Sequence, residues 1–257
     1  MKAKKSFGQH FLNREDIAQQ IADSLQLSAN YQHIVEVGPG QGMLTKYLLE
    51  KDQNLFVVEA DKDMVSYLNQ HYPSLREAII FQDFLKMSFE DHLGQKPFGL
   101  IGNFPYNISS QIVFKMLDNR VQIPEMVGMF QHEMAARVVA APGSKTYGVI
   151  SVLTQAYYEG EYLFLVDRSC FSPPPKVQSA VIRLTRKKEL NLPCDDLLFK
   201  RVVKQSFSQR RKMLRNTLKP FIKDPDVLQA PFFTKRPEVL SVEDFISLTQ
   251  MIEAQKI

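Results

Sequence analysis

The chain has 257 residues, 44% of them apolar, with 18 Phe and a formal net charge of +4. That length accommodates one large domain and a small one, and that apolar content excludes a disordered chain. No apolar run is long enough to cross a bilayer, the start "MKAKKSFGQHFLNRED" lacks a signal peptide's apolar segment, and Cys170 and Cys194 have no metal-type spacing, so a cytoplasmic protein without membrane association, disulfide or metal site is expected.

In chain order, "REDIAQQIADSLQL" has helical apolar spacing, with Asn13 placed to cap it. Strands are expected at 33–38 ("HIVEVG"), 55–60 ("LFVVEA"), 78–83 ("AIIFQD"), 98–103 ("FGLIGN"), 125–130 ("EMVGMF"), 161–166 ("EYLFLV") and 180–185 ("AVIRLT"). Several are continuous apolar runs, as strands covered on both faces require. Between them, "MLTKYLLEKD", "DMVSYLNQHY", "QIVFKMLDN", "HEMAARVVAA" and "YGVISVLTQAYY" read as helices. This alternation predicts an α/β fold, a doubly wound and mostly parallel seven-stranded sheet. Its last two strands, joined through "SCFSPPPKVQS", are expected to form an antiparallel hairpin at the sheet edge.

After residue 188 the pattern turns helical, with "CDDLLFKRVVKQSFSQRRKMLRNTLKPFIK" and "SVEDFISLTQMIEAQ" separated by proline-bearing loops. The expected domains are therefore 1–188 and a small all-helical 189–257. Charge is distributed unevenly between the parts. Lys176 to Lys223 holds 14 Lys or Arg against Glu189, Asp195 and Asp196, a net of +11, so the remainder carries −7. A polyanion-binding face and a merely solvated basic face are both open on charge alone.

The first strand runs into "EVGPGQG", whose Gly38, Gly40 and Gly42 let the backbone bend tightly and pass close to a ligand. Met43 stands where a dinucleotide fingerprint wants its last glycine, which argues against a pyrophosphate on the following helix. Glu59, 21 residues after Gly38, is placed to accept hydrogen bonds from both ribose hydroxyls, and Asp83 to accept one from an adenine amine. Each could instead be a solvated loop acid; aligned at three strand ends, they describe a nucleoside site. With Glu36 and no adjacent Lys, the set suits S-adenosylmethionine, a cation without phosphate, better than NAD.

The fourth strand ends in "GNFPYNISS". An adenine exocyclic amine is a poor nucleophile because its lone pair is delocalised into the ring. The side-chain carbonyl of Asn103 and the backbone carbonyl of Phe104 can hold it so that the lone pair faces a methyl donor. Pro105 stiffens the turn, and Tyr106 offers a face for the base to stack on. Positioning and preorganisation would carry such a reaction without a strong base. His132 and Glu133 read as helix residues, and no Ser-His-Asp or Cys-His set competes. Phe171, held by the proline run of "CFSPPPKVQS", is the expected second wall of the base pocket, with Lys176 close behind it.

These stretches, with "FGQHFL" (7–12), "VVEAD" (57–61), "QDFL" (82–85) and "SFSQRRKMLRNTL" (206–218), run nearly end to end. Together they resemble the ribosomal RNA adenine N6,N6-dimethyltransferases, which modify two neighbouring adenosines near the 3′ end of small-subunit ribosomal RNA. The resemblance implies a Rossmann-like class I methyltransferase domain with a small RNA-binding domain, and a role in small-subunit biogenesis. It also implies S-adenosylmethionine contacts at His10, Leu12, Gly38, Gly40, Glu59, Asp83 and Asn103. The N-terminal segment becomes a flap over the cofactor, with Lys2, Lys4 and Lys5 touching RNA. The family usually has Leu where Phe104 stands, a swap expected to affect loop packing more than chemistry.

Lys200 to Lys223 carries nine basic residues and no acid. Read as one helix, it puts Phe207, Leu214, Leu218 and Phe221 on one face and Arg211, Arg215 and Lys219 beside it. Arg210, Arg211, Lys212 and Arg215, with Lys176, are the expected phosphate contacts. Three other readings stand beside the small-subunit enzyme: a large-subunit RNA methyltransferase of the macrolide-resistance type, a DNA adenine methyltransferase, and an assembly factor that holds small-subunit particles. Nothing in the sequence marks a dimer, and a monomer is expected.

Overall fold

The computed structural model describes residues 9–255; Lys2, Lys4 and Lys5 lie outside them. In chain order the elements are β1 (Phe11–Leu12), α1 (Glu15–Asp23), β2 (His33–Val37), α2 (Thr45–Leu48), β3 (Asn54–Glu59), α3 (Lys62–His71), β4 (Ile79–Phe81), α4 (Phe89–Leu93), β5 (Phe98–Asn103) and α5 (Ser109–Asp118). There follow β6 (Glu125–Gln131), α6 (His132–Val138), α7 (Val149–Gln155), β7 (Tyr158–Val166), β8 (Phe171–Ser172), β9 (Ser179–Arg186), α8 (Asp196–Ser206), α9 (Leu214–Thr217) and α10 (Val242–Ala254).

Seven strands form one sheet in the order β4-β3-β2-β5-β6-β9-β7. The five from β2 to β6 pair in parallel, and β9 pairs antiparallel with β6. All seven expected strands are present, with β9 inserted between β6 and β7 and β7 left at the edge. Every residue of β2 is buried, as a central strand covered on both faces requires. From β2 the chain steps outward through β3 to β4, then returns to β5 on β2's other side. The direction of winding therefore reverses between β2 and β5, where an open sheet leaves a crevice beyond its strand ends.

The chain divides into two compact units. One holds the described residues up to Ala135 with Glu159–Arg186; the other holds Ala136–Tyr158 with the chain from Lys187 onward. One crossing between the units falls between Arg186 and Lys187, and the α7 segment, which the expected boundary at 188 grouped with the sheet, lies in the helical unit. Specific bonds hold it there: Arg210 donates to the Ser144 carbonyl (3.0 Å) and Tyr157 donates to Asp196 (3.1 Å), while Tyr147 lies edge-on to Phe207.

Local expectations were overturned at two places. Helix α1 starts at Glu15 with Arg14 at its cap, and Asn13 instead donates its backbone N–H to the Cys170 carbonyl (2.9 Å). The strand pairing of β1 with β8 keeps the chain extended past the expected cap. The single basic helix over 200–223 is also absent. Helix α8, capped by Asp195, ends at Ser206; a 3-10 turn covers Phe207–Gln209, and α9 is one turn long. Tertiary bonds outweigh helix propensity here: Gln205 donates to the Thr217 carbonyl (2.8 Å) and the Leu214 N–H to the Lys235 carbonyl (2.9 Å). Leu214 and Leu218 still face the core, but not as rungs of one continuous stripe.

Candidate active site at the switch point of the sheet

The ends of β2, β3 and β5, with the turn after β4, enclose a cavity of about 540 Å³, within the usual range for small-molecule sites. Gly38, Gly40 and Gly42 all have positive φ (69°, 55° and 82°), a region glycine enters without steric cost. A side chain on Gly40 would meet the Phe11 ring at 3.0 Å and one on Gly42 the Tyr72 ring at 2.4 Å. The glycines therefore serve both the bend and the walls packed against it. Tyr72, whose hydroxyl donates to the Gly42 carbonyl (3.0 Å), has no signal in the sequence.

Two carboxyl groups line this cavity from buried positions. Glu36 is 1% exposed and accepts a hydrogen bond from Thr45 (2.7 Å), and burial pushes its carboxyl up to about 8. Glu59 accepts from the Asp61 N–H (2.8 Å) and the Gly40 N–H (3.3 Å); burial raises it too, against those bonds. Lys46 also lines the cavity, but its ammonium is paired with Glu15. The fit is to a cation: buried acids, a glycine cradle and a neutralised lysine suit the sulfonium of S-adenosylmethionine and oppose a phosphate.

Asp83 lies on the same cavity wall, its Oδ1 accepting from the Leu85 N–H (2.9 Å). Opposite, the "NFPY" turn leaves β5. The Asn103 side-chain nitrogen donates to the His10 carbonyl (3.0 Å), so the amide oxygen is the end presented elsewhere. The Phe104 ring packs on Phe130 in the core, in space that exists because residues 102 and 128 are glycine; a side chain on Gly128 would meet the ring at 2.2 Å. The larger residue at 104 is thus absorbed by packing. Pro105 sits beside Gly38, and the Tyr106 hydroxyl bonds to Ser179 (2.5 Å), which fixes its ring.

His10, Leu12, Gly38, Gly40, Glu59, Asp83, Asn103, Phe104, Pro105 and Tyr106 all line this one cavity. Phe171 does not. It is 2% exposed and lies in the core with Leu12, Val166 and Val181. The cause is the pairing of β1 with β8, which sets Phe171 opposite the buried Leu12 and turns Ser172 outward, as strand alternation demands. The aromatic group facing Tyr106 is His10. Its ring stacks at 5.4 Å between centroids, and its Nδ1 lies 2.8 Å from the Pro173 carbonyl.

Of the expected RNA contacts, Lys176, Arg211 and Lys212 are exposed and Arg215 is half-buried. Arg210 is otherwise engaged. Besides its bond to Ser144, its Nε lies 3.1 Å from Glu238 in an ion pair that is not an aligned hydrogen bond. That makes Arg210 an internal tie of the helical unit.

The chain matches the family model described as ribosomal RNA adenine dimethylase over residues 1–253. It is 54% identical over 257 residues to the ribosomal RNA small subunit methyltransferase A of Flavobacterium johnsoniae, covering all of this chain and 98% of that one. Among solved structures it resembles a dimethyladenosine transferase from Plasmodium falciparum (TM-score 0.81, 24% identity, 96% and 99% of the two chains). It also resembles the 23S rRNA methyltransferase ErmE (TM-score 0.71, 23% identity, 95% and 99%). Those two likenesses show the fold alone and do not choose between the RNAs. The whole-length family match shows that the chain belongs to the ribosomal RNA adenine dimethylase family.

Proposed function

We propose that this enzyme transfers methyl groups from S-adenosylmethionine to the N6 amines of two adjacent adenosines near the 3′ end of small-subunit ribosomal RNA, giving N6,N6-dimethyladenosines. The observation that carries this reading is the position of Asn103. Its amide is oriented by the His10 carbonyl and lines the same cavity as Glu59 and Asp83.

The cofactor supplies an electrophilic methyl group on a sulfonium. Glu59 would hold the ribose hydroxyls, Asp83 the adenine amine, and the glycine turn after β2 the neighbouring backbone. The Asn103 amide oxygen and the Phe104 carbonyl accept the two N–H bonds of the target amine, which turns its lone pair toward the methyl donor. Tyr106 supports the base. With the methyl supplied from the sulfonium, which would leave as a neutral thioether, the target nitrogen would need only to lose its proton to water, so positioning replaces a general base. Lys176, Arg211, Lys212 and Arg215 contribute salt-sensitive phosphate contacts, while RNA shape and base extrusion select the site. The partner is the small ribosomal subunit particle, bound by a monomer in the cytoplasm.

Radiolabelled methyl transfer tests the assignment. Label is expected in small-subunit particles lacking the modification and not in large-subunit RNA; the reverse pattern would refute it.

A further inference from the structure

We infer that Lys115 is a positioning residue: it ties the turn carrying Asp83 to the helix that follows "NFPY" and thereby sets the site's preference for a 6-amino purine. Lys115 stands on α5, whose first turn directly succeeds the Tyr106–Ile108 segment. Its ammonium reaches across to the turn after β4 and donates to two backbone carbonyls, Leu85 (3.1 Å) and Met87 (2.5 Å). It also lies over the rings of Phe89 (5.0 Å to the centroid) and Phe84 (5.6 Å). A compact ammonium on a flexible stem suits convergent carbonyls and ring faces together.

The turn so held is the one that orients Asp83. Asp83 Oδ1 accepts from the Leu85 N–H, and its carbonyl accepts from the N–H groups of Lys86 (3.0 Å) and Met87 (3.1 Å). With Oδ1 bonded to the Leu85 N–H, Oδ2 is left as the acceptor for a donor in the cavity. Asp83 is itself exposed, so packing does not fix its side chain; the turn does. Phe84, buried under the Lys115 stem, forms the adjoining wall. Burial lowers the Lys115 ammonium from its ordinary range, and Asp83 and Asp118 pull it back up. One side chain thus joins the wall expected to read the cofactor's base to the helix behind the target-base clamp.

This inference rests on the reading of Asp83 as the adenine contact, and the test separates the two. Calorimetry would compare S-adenosylhomocysteine with S-inosylhomocysteine, which lacks the 6-amino group, on the full-length wild type, Lys115→Met and Lys115→Gln, with melting temperatures recorded alongside. The wild type is expected to prefer the adenosine compound by about tenfold or more, the scale of a hydrogen bond to a charged acceptor. Lys115→Met is expected to bind both within about twofold, with KM for the methyl donor rising more than kcat falls. Lys115→Gln, which keeps an amide for one carbonyl but no charge, is expected to fall between and serves if the Met variant does not fold. A merely structural lysine would lower the melting temperature and leave the preference intact; full preference in a folded variant overturns the inference. A wild type with no preference overturns the Asp83 contact itself.

Discussion

The two ends of the sheet each bury glutamate, and they treat it in opposite ways. At the N-terminal end of β6, Glu125 is fully buried and its oxygens accept from the Gln26 N–H (2.8 Å), the Leu27 N–H (3.0 Å) and the Tyr31 hydroxyl (2.9 Å). Glu125 is sewn to its own chain, and Tyr31, pushed up by burial beside that carboxylate, fills the space over Gly99. At the C-terminal end, Glu36 and Glu59 are as deeply placed but line a cavity. A buried acid that meets only its own chain's donors is architecture; one whose residue also borders a cavity is placed to meet a ligand's positive charge.

The largest effect that sharpens this contrast belongs to the open end. Asn103→Ala is expected to lower methyl transfer by about a hundredfold or more while particle binding persists in a pull-down; loss of both would show the clamp and the RNA footprint to be one surface. Next comes a pair at opposite ends. Glu125→Ala leaves the buried Tyr31 hydroxyl and the Gln26 and Leu27 N–H groups without their acceptor and is expected to cost about 2 kcal/mol of stability or more in denaturant titration. Glu59→Gln is expected to cost less stability but to weaken S-adenosylmethionine binding by about tenfold. If Glu125→Ala spared stability, or Glu59→Gln spared binding, the contrast would fail.

A third effect is a pH dependence. The Glu36 carboxyl titrates near 8 in the folded chain and near its ordinary 4.5 when unfolded. Between those values the folded state holds a proton that the unfolded state has released, so stability falls as pH rises from about 4.5 to about 8 and then levels. Glu36→Gln is expected to flatten this slope in melting temperatures measured without cofactor. The same group makes binding of a cation tighten as pH approaches 8, with proton release below it. The smallest effect lies outside the sheet: Arg211→Ala with Arg215→Ala is expected to lower the salt slope of RNA binding by about two at most, one per lost phosphate contact. An unchanged slope would leave the RNA footprint to other residues.

Much of the open end was legible before the fold was known. The glycine turn, Glu59, Asp83 and "NFPY" are each local in sequence, and the parallel sheet brings their strand ends together without further instruction. The surroundings of Phe171 and Arg210 are not legible locally, for a shared reason. What a side chain faces in an irregular segment depends on distant partners, Leu12 for the first and Ser144 and Glu238 for the second. His10 was found only through resemblance, because the Tyr106 ring and the Pro173 carbonyl that hold it lie 96 and 163 positions away. Lys115 carried no signal at all: within a helix it reads as one more polar residue.

Alone, the sequence determined the seven strands, the winding that opens a crevice, the acidic character of the cofactor end and the basic character of the helical region. Those properties follow from apolar runs, glycine spacing and charge, which act over a few residues. Only the tertiary structure decided which aromatic faces Tyr106, where the basic helix breaks, which arginine is tied to Ser144 and Glu238 and which lysine steadies Asp83. Such choices depend on the pairing of segments far apart in the chain, where a single strand contact or ion pair outweighs local preference.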